Sequence, residues 1–317
     1  MTALAAAALV AVAGCSSAAT DTESTDSVEV VAIDHQYGST NVPRAPQRVV
    51  TINSTWSDSL VKLDVPITAE FVMSGYAGPG NRFEWTPAHD STVVEYGVSA
   101  GRPDLEELAK FAPDVILAGY VPDQGTYDKL SSVAPTIPVM ASGAVNDSWQ
   151  DVLSAAGRIF DKQDDAATAI AEVDGQLAQI KSKYPAAQGQ TFAFGQLTPD
   201  GEFGVVTSGT DPSAKLLASV GLVLDPGVES LSANGQRVTV SGERLDLLGS
   251  DLLIFWPLAG GPEVFGSIPG WNNLPAVQRG ATVFLTNDNA AAFAAPTVYS
   301  VPWAANKLEP ALATLGQ

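Results

Sequence analysis

The chain has 317 residues, of which 45% are hydrophobic and 16% are charged. This balance indicates a folded protein, because disordered chains contain fewer apolar residues, and the length suits two lobes better than one core. With 16 Lys and Arg against 35 Asp and Glu, the formal net charge is −19, which excludes nucleic acid as a partner because such a field repels phosphate.

The first predicted element is an apolar leader. Residues 3–13 are small and apolar without interruption, which is typical of a signal peptide and too short to span a bilayer. The sequence Val-Ala-Gly-Cys follows at 12–15 and contains the single cysteine, Cys15. It resembles a bacterial lipobox, where the leader is cut before a cysteine that carries lipid, although no Lys or Arg precedes the apolar stretch. We therefore expect a lipoprotein signal peptide at 1–14 and membrane attachment through lipid on Cys15.

Strands that alternate with helices follow the leader. Residues 15–27 are small and polar and predict a flexible tether, and the next segment predicts a hairpin that turns near Gly38. Further strands are predicted at 48–53, 66–72, 114–119, 190–197, 251–258 and 281–288, and helices at 57–65, 103–112, 211–221, 242–249 and the C-terminus. The segment 127–141 predicts a further helix followed by a strand. Continuous apolar strands between helices indicate a parallel sheet that is covered on both faces.

One longer helix interrupts this rhythm at 164–183. Its apolar residues recur at helical spacing, acids begin it and lysines end it, as the helix dipole favours. At about 1.5 Å per residue it would extend roughly 30 Å, enough to connect two lobes. We therefore predict an N-terminal lobe at 28–163, a connecting helix at 164–184 and a C-terminal lobe at 185–317.

Four segments of the chain share a pattern with one known family. They are VPRAPQRVVTINSTWSDSLVKLDV, GRPDLEELAKFAPDVILAG, GWNNLPAVQRGATVFL and YSVPWAANKLEPAL. In combination they resemble the substrate-binding lipoproteins of ABC importers for ferric siderophores, haem and cobalamin, over residues 28–317. The resemblance implies an α/β fold of two Rossmann-like lobes with central sheets, joined by one long backbone helix, with the ligand cleft between the lobes.

The same resemblance implies a function. We expect a monomeric, exported, lipid-anchored protein that captures a ferric siderophore and delivers it to an ABC permease for iron uptake. The alternatives are a haem- or cobalamin-binding member of the same family, or a structural or adhesin lipoprotein. We expect no enzymatic activity, because the chain has no paired-histidine motif and no Walker loop, and we expect no cofactor.

The candidate ligand site is read from the ends of the strands. Ligands of open α/β sheets bind beyond the carboxyl ends of the strands, and aromatic side chains there suit a flat, partly apolar chelate. The predicted ligand-binding residues are Trp56, Tyr76, Arg82, Phe83, Trp85, Tyr120, Trp256, Phe293 and Tyr299. Arg82 suits carboxylate or hydroxamate oxygens of an iron complex. For each aromatic residue the alternative is core packing. The two histidines, His35 and His89, are too few and too isolated for a His-rich metal site, and His89 and the tyrosines are the candidate haem ligands.

Two glutamates are candidates for contact with the permease. Glu106 and Glu243 each stand eight residues before the aspartate of the next strand, in similar segments of the two lobes. We expect each to lie in the first turn of a helix, where the dipole favours an anion. The resemblance implies that one glutamate of each lobe pairs with arginines of the permease, and simple first-turn placement of an acid is the alternative.

Overall fold

The computed structural model describes residues 29–75, 77–97, 102–235 and 237–315. The predicted signal peptide, the tether and Cys15 therefore lie outside the described residues. The described chain begins with an antiparallel hairpin of β1 (Val30–His35) and β2 (Gly38–Pro43). The hairpin turns immediately before Gly38, whose φ of +127° is accessible to glycine, so the predicted turn is confirmed.

The N-terminal lobe is built on a five-stranded parallel sheet, as predicted. Its elements are β3 (Val49–Thr51), α1 (Ser54–Lys62), β4 (Ala69–Met73), β5 (Thr92–Tyr96), α2 (Leu105–Ala109), β6 (Val115–Gly119), α3 (Gln124–Ser131) and β7 (Thr136–Pro138). The strand order is β5-β4-β3-β6-β7. All five residues of β6 are buried, because helices cover both faces of a parallel sheet. Strand β5 was not predicted from the sequence.

Two helices connect the lobes. α4 (Trp149–Ile159), which was not predicted, is followed by α5 (Gln163–Lys183), whose bounds match the predicted long helix to within one residue. α5 buries residues at helical spacing, including Val173, Leu177 and Ile180, and these pack into the main core. This apolar stripe explains why α5 lies along the protein with its other faces exposed.

The C-terminal lobe has a mixed sheet. Its elements are β8 (Thr191–Leu197), β9 (Glu202–Val205), α6 (Pro212–Ser219), β10 (Val223–Leu224), α7 (Pro226–Glu229), β11 (Val238–Ser241), β12 (Leu252–Pro257), α8 (Pro275–Gln278), β13 (Thr282–Phe284), α9 (Ala291–Ala294) and α10 (Ser300–Leu312). The order is β11-β9-β8-β12-β13, with β10 paired to the start of β8. β9 and β11 pair antiparallel. The helix predicted at 242–249 is wrong, because only a short 3₁₀ helix forms there, at Leu245–Leu248.

One apolar core extends across both lobes. It contains N-terminal residues such as Val49 and Leu60 together with C-terminal residues such as Phe194 and Leu308, all less than 2% exposed. Within the C-terminal lobe, Trp271 stacks on Phe203 with ring centroids 5.6 Å apart. The lobes therefore share packed side chains, and the remaining space between them forms the candidate site.

Candidate functional site

A cavity of about 870 Å³ lies between the two lobes. The N-terminal lobe contributes residues at or just past the ends of β3, β4 and β6, including Asn53, Met73 and Tyr120. The C-terminal lobe contributes Asp211 and Arg237 among others. The volume is within the range of small-molecule sites, roughly 300–1,000 Å³, and the position past the strand ends is the one that the sequence predicts.

The cavity lies at the switch point of the N-terminal sheet. β4 and β6 lie on opposite sides of β3, and ligands of such sheets bind in the crevice between strands that diverge in this way. Gly119 ends β6 with a φ of +65°, and a Cβ atom there would lie 2.9 Å from Cγ of Asn53. Asn53 caps α1 by accepting a hydrogen bond from the amide of Thr55 at 2.8 Å. Glycine at 119 therefore lets the ends of β3 and β6 approach closely.

A cluster of polar and charged side chains lines the cavity, which we call the Glu70 cluster (Glu70, Arg82, His89 and Ser91). Nη1 of Arg82 lies 3.2 Å from Oε1 of Glu70, and Nη2 donates to Ser91 at 2.8 Å. Nε2 of His89 lies 2.8 Å from the same carboxylate oxygen. Burial opposes ionisation of Glu70, but hydrogen bonds from Ser91, His89 and Ser57 outweigh it and lower its pKa. Glu70 is therefore an anion that neutralises Arg82.

A buried aspartate joins the two lobes beside this cluster. Asp58 of α1 is 1% exposed and accepts hydrogen bonds from Thr86 at 2.8 Å and from Thr297, which lies in the C-terminal lobe just before α10. Burial raises the pKa of Asp58 to about 6, although the hydrogen bonds from Thr297 and Thr86 act in the opposite direction. One carboxylate therefore connects α1, the loop between β4 and β5, and the residues just before α10.

The loop between β4 and β5 also contacts the C-terminal lobe through aromatic rings. Phe83 stacks on Trp85 with ring centroids 4.6 Å apart and an interplanar angle of 8°. Trp85 in turn packs against Trp303 of α10 with centroids 5.1 Å apart. Phe83 lines the cavity, so this stack places one aromatic ring beside the ligand space. The contact between Trp85 and Trp303 holds the loop against α10.

Three arginines line the cavity, and they differ in their partners. Arg82 pairs with Glu70, and Arg237 pairs with Asp211 at 3.3 Å. The guanidinium of Arg102 donates to the carbonyl of Pro103 at 2.9 Å. Within residues 29–75, 77–97, 102–235 and 237–315, no carboxylate lies within 4 Å of it. Arg102 is therefore the arginine of this group without an acidic partner in the described chain.

The predicted ligand-binding residues separate into four groups. Arg82, Phe83 and Tyr120 line the cavity, and the ring of Tyr120 is 55% exposed. Trp85 packs behind Phe83, and Tyr299 packs against the core without lining the cavity. Tyr76 lies outside the described residues.

The remaining three predicted residues are core residues, which corrects their assignment to ligand contact. Trp56 and Phe293 are fully buried and Trp256 is 5% exposed. Trp256 and Phe293 both pack on Phe194, with centroids 5.3 and 6.0 Å away. Trp56 and Phe293 lie in helices that follow strands, whereas Trp256 lies within β12 and not past its end. In each case the helix or strand turns the side chain towards the core.

Sequence reasoning missed several residues of the cavity wall. Arg102 and Arg237 were not singled out, and Tyr96 ends a strand that was not predicted. Asp58 and Glu70 lie within a predicted helix and a predicted strand but were not identified as site residues. A signal was available for Asp58, because a carboxylate on the buried side of a helix needs partners. No local pattern indicates a partner more than 200 residues away.

One enzyme-like pattern was also missed. Residues 97–101 read Gly-Val-Ser-Ala-Gly, which matches the Gly-x-Ser-x-Gly pattern of serine hydrolases. That motif requires a sharp turn directly from a strand into a helix. β5 ends at Tyr96, and the next described helix, α2, begins at Leu105. Residues 98–101, which include Ser99, lie outside the described residues.

The two predicted docking glutamates differ in their local structure. Glu106 lies in the first turn of α2, where Asp104 caps the helix by accepting hydrogen bonds from two amides. Glu243 lies in the turn between β11 and the 3₁₀ helix at Leu245–Leu248, so the expectation of a matching helical first turn is wrong for it. Both side chains are exposed. No cation of the described residues forms an ion pair with either of them.

Among the described residues, no group of three or more His, Cys, Asp or Glu side chains could hold a metal ion.

The chain is similar in sequence to one known family and to several known proteins. Residues 80–289 match the family described as periplasmic binding protein. The ferric enterobactin-binding periplasmic protein FepB of Escherichia coli O6:H1 is 26% identical over 265 residues, which cover 78% of this chain and 81% of FepB. The Fe(3+)-citrate-binding protein YfmC of Bacillus subtilis is 24% identical over 276 residues, covering 85% of this chain and 83% of YfmC.

Solved structures show the same fold. A periplasmic solute binding protein from Mycobacterium smegmatis has a TM-score of 0.74 and 26% identity, covering 90% of this chain and 98% of its own. Streptococcus pneumoniae PiaA in complex with ferrichrome has a TM-score of 0.74 and 21% identity, covering 90% and 99%. Because the family pattern spans well over half of the sequence, the chain belongs to the periplasmic binding protein family.

Proposed function

We propose that this protein captures a ferric siderophore between its two lobes and delivers it to an ABC permease for iron uptake. The observation that carries the proposal is the cavity of about 870 Å³ at the strand-end edge, lined by arginines from both lobes and by aromatic rings from the N-terminal lobe. Relatives with the same family pattern are named for binding ferric enterobactin and ferric citrate. A monomer is sufficient for this role, because both lobes belong to one chain.

The aromatic and polar sides of the cavity suit a chelate with an apolar body and charged oxygens. Tyr120 and Phe83 offer ring surface to the body, and the arginines offer donors to oxygen atoms. Haem is less favoured, because the ring nitrogens of His89 lie 2.8 Å from the carbonyl of Pro87 and from Glu70. That histidine is held by protein groups and is not directed at a ligand.

The proposed location is outside the cytoplasmic membrane. Several relatives are named as periplasmic proteins or as lipoproteins, and the lipobox-like segment at 12–15 supports attachment through lipid on Cys15. Among the described helices, none is both long and apolar enough to span a bilayer.

The exposed carboxylates of Glu106 and Glu243 are proposed to orient the protein on the permease. Both lack a cationic partner in the described part of the chain, and one belongs to each lobe, so both are available to arginines of a membrane partner. Charged groups at the rim of an interface mainly set orientation and association rate. This role is independent of the ligand cavity, which neither residue lines.

A thermal-shift panel tests the proposed function. The purified protein is heated with a ferric tricatecholate, ferric citrate, ferrichrome, haem or cobalamin, each with its metal-free form as control. A ligand at 100 times its Kd should stabilise the protein by about 2.7 kcal/mol, which corresponds to a rise in Tm of roughly 5 °C or more at this size. A shift with haem or cobalamin alone would support the alternative ligands, and no shift with any of them would favour a structural lipoprotein.

A further inference from the structure

The three arginines of the cavity do not carry the same free charge. The charge of Arg82 is balanced by Glu70 at 3.2 Å, and that of Arg237 by Asp211 at 3.3 Å. Both guanidinium groups would have to exchange an existing carboxylate for a ligand oxygen, which cancels much of the gain in binding free energy. Arg82 is additionally held by Ser91 at 2.8 Å. These two arginines are therefore part of the cavity wall rather than free binding groups.

Arg102 differs from both. It is half-buried on the cavity wall, and within the described residues its side chain makes one hydrogen bond, to the carbonyl of the adjacent Pro103. The carboxylate of Asp104 is near enough to feel its charge, but Asp104 is directed at the amides of Glu106 and Glu107, at 2.8 and 3.1 Å. Most of the donor capacity of the Arg102 guanidinium therefore remains available to a molecule in the cavity.

We infer that Arg102 selects a negatively charged ferric chelate over a neutral one, and that Arg82, the arginine expected from the sequence, does not. The inference rests on the proposed function and specifies the class of its ligand. An unpaired guanidinium gains most from an anionic oxygen, because charge-assisted hydrogen bonds are about twice as strong as neutral ones. A carboxylate or catecholate chelate with net negative charge provides such oxygens, whereas a ferric trihydroxamate has none in excess of the charge of its iron.

The test compares Arg102→Gln with the removal of each of the two ion pairs. Arg102→Gln, the double variant Arg82→Gln with Glu70→Gln, and the double variant Arg237→Gln with Asp211→Asn are titrated with a ferric tricatecholate, which is a trianion, and with ferrichrome, which is neutral, while tryptophan fluorescence is recorded. Arg102→Gln should weaken the trianion between about ten- and hundredfold and change ferrichrome affinity less than about threefold. The Arg237 and Asp211 double variant is the matched control in the same cavity, because it removes both charges of one ion pair, and it should change the two affinities by similar, smaller factors.

The result for the Arg82 and Glu70 double variant is expected to differ in kind. Removal of this ion pair should lower the Tm and weaken both chelates by similar factors. Arg102→Lys keeps the charge and should recover part of the affinity for the trianion, while the unchanged Tm of Arg102→Gln shows that the fold is intact.

Two outcomes overturn the inference and leave the proposed function standing. One is an equal loss of both chelates in Arg102→Gln, and the other is a wild-type protein that binds ferrichrome more tightly than the trianion. If the wild type binds no ferric chelate at all, the proposed function fails instead.

Discussion

Replacement of Asp58 by asparagine should make the stability of this protein less sensitive to pH. Asp58 is 1% exposed, and burial raises its pKa in the folded state to about 6, against 3.8 as its ordinary value. The folded protein therefore holds this proton more tightly than the unfolded chain does. The stability linked to that proton is complete below about pH 4 and is lost as the pH rises through about 6.

The size of the effect follows from the two pKa values. They differ by about two pH units, and each unit corresponds to about 1.4 kcal/mol, so ionised Asp58 costs the folded protein about 3 kcal/mol at pH 7.5. The asparagine side chain of the variant carries no charge at either pH. About 0.5 kcal/mol of this cost is already present at pH 4, which lies just above the ordinary pKa of 3.8. The free energy of unfolding of Asp58→Asn minus that of the wild type should thus increase by about 2.5 kcal/mol between pH 4 and pH 7.5, whatever its value at pH 4.

The assay is urea unfolding of both proteins at pH 4, 5, 6 and 7.5, followed by tryptophan fluorescence. Glu70 and His89 act electrostatically on Asp58, and the subtraction removes what they contribute equally to the stability of both proteins. Asp174→Asn, on the exposed side of α5, is the control and should show no such dependence. A difference between Asp58→Asn and wild type that stays constant within about 1 kcal/mol over this pH range would refute the reasoning.

Three further predictions concern the membrane, the permease and the switch point. Cys15→Ala should move the protein from the membrane to the soluble fraction without a change in ligand affinity, and continued membrane association would contradict the lipid anchor. The double variant Glu106→Arg with Glu243→Arg should bind ligand normally but fail to support iron uptake in cells; normal uptake, or lost ligand binding, would refute the docking role. Gly119→Ala should lower the Tm by several degrees, because the left-handed φ alone costs about 1–2 kcal/mol and the new methyl group meets Asn53; an unchanged Tm would contradict it.

The strongly patterned elements of this fold could be predicted from sequence. α5 was predicted because its apolar stripe is long and its ends carry charges that suit the helix dipole. The buried strands β6 and β12 were predicted because parallel strands that are covered on both faces are continuously apolar. Such patterns are local and need no knowledge of distant contacts.

The elements that were missed have weaker or mixed patterns. β9 and β11 are each four residues long and stabilise each other as an antiparallel pair, so neither has a sequence pattern that identifies it by itself.

α4 is an exception among the elements that were not predicted. Its sequence contains a cap at Ser148 and an apolar face that includes Val152 and Ala156, which together indicate a helix.

The position of the site could be predicted, but the direction of its side chains could not. The rule that ligands lie past the strand ends located Tyr120 and Phe83 correctly on the cavity wall. The same rule does not distinguish them from Trp56, because a residue three positions after the N-cap of a helix can face inwards or outwards. The pairing of Arg82 with Glu70, which removes the charge assigned to Arg82, likewise depends on tertiary contact.

The cavity between the lobes is proposed to bind a ferric siderophore and to release it intact. The decisive measurement is isothermal titration of the purified protein with a ferric siderophore from the thermal-shift panel, beside the iron-free siderophore. We expect one ligand per chain, a Kd of about micromolar or tighter, much weaker binding of the iron-free form, and recovery of an unmodified chelate. The absence of saturable binding, or recovery of a hydrolysed siderophore, would contradict it.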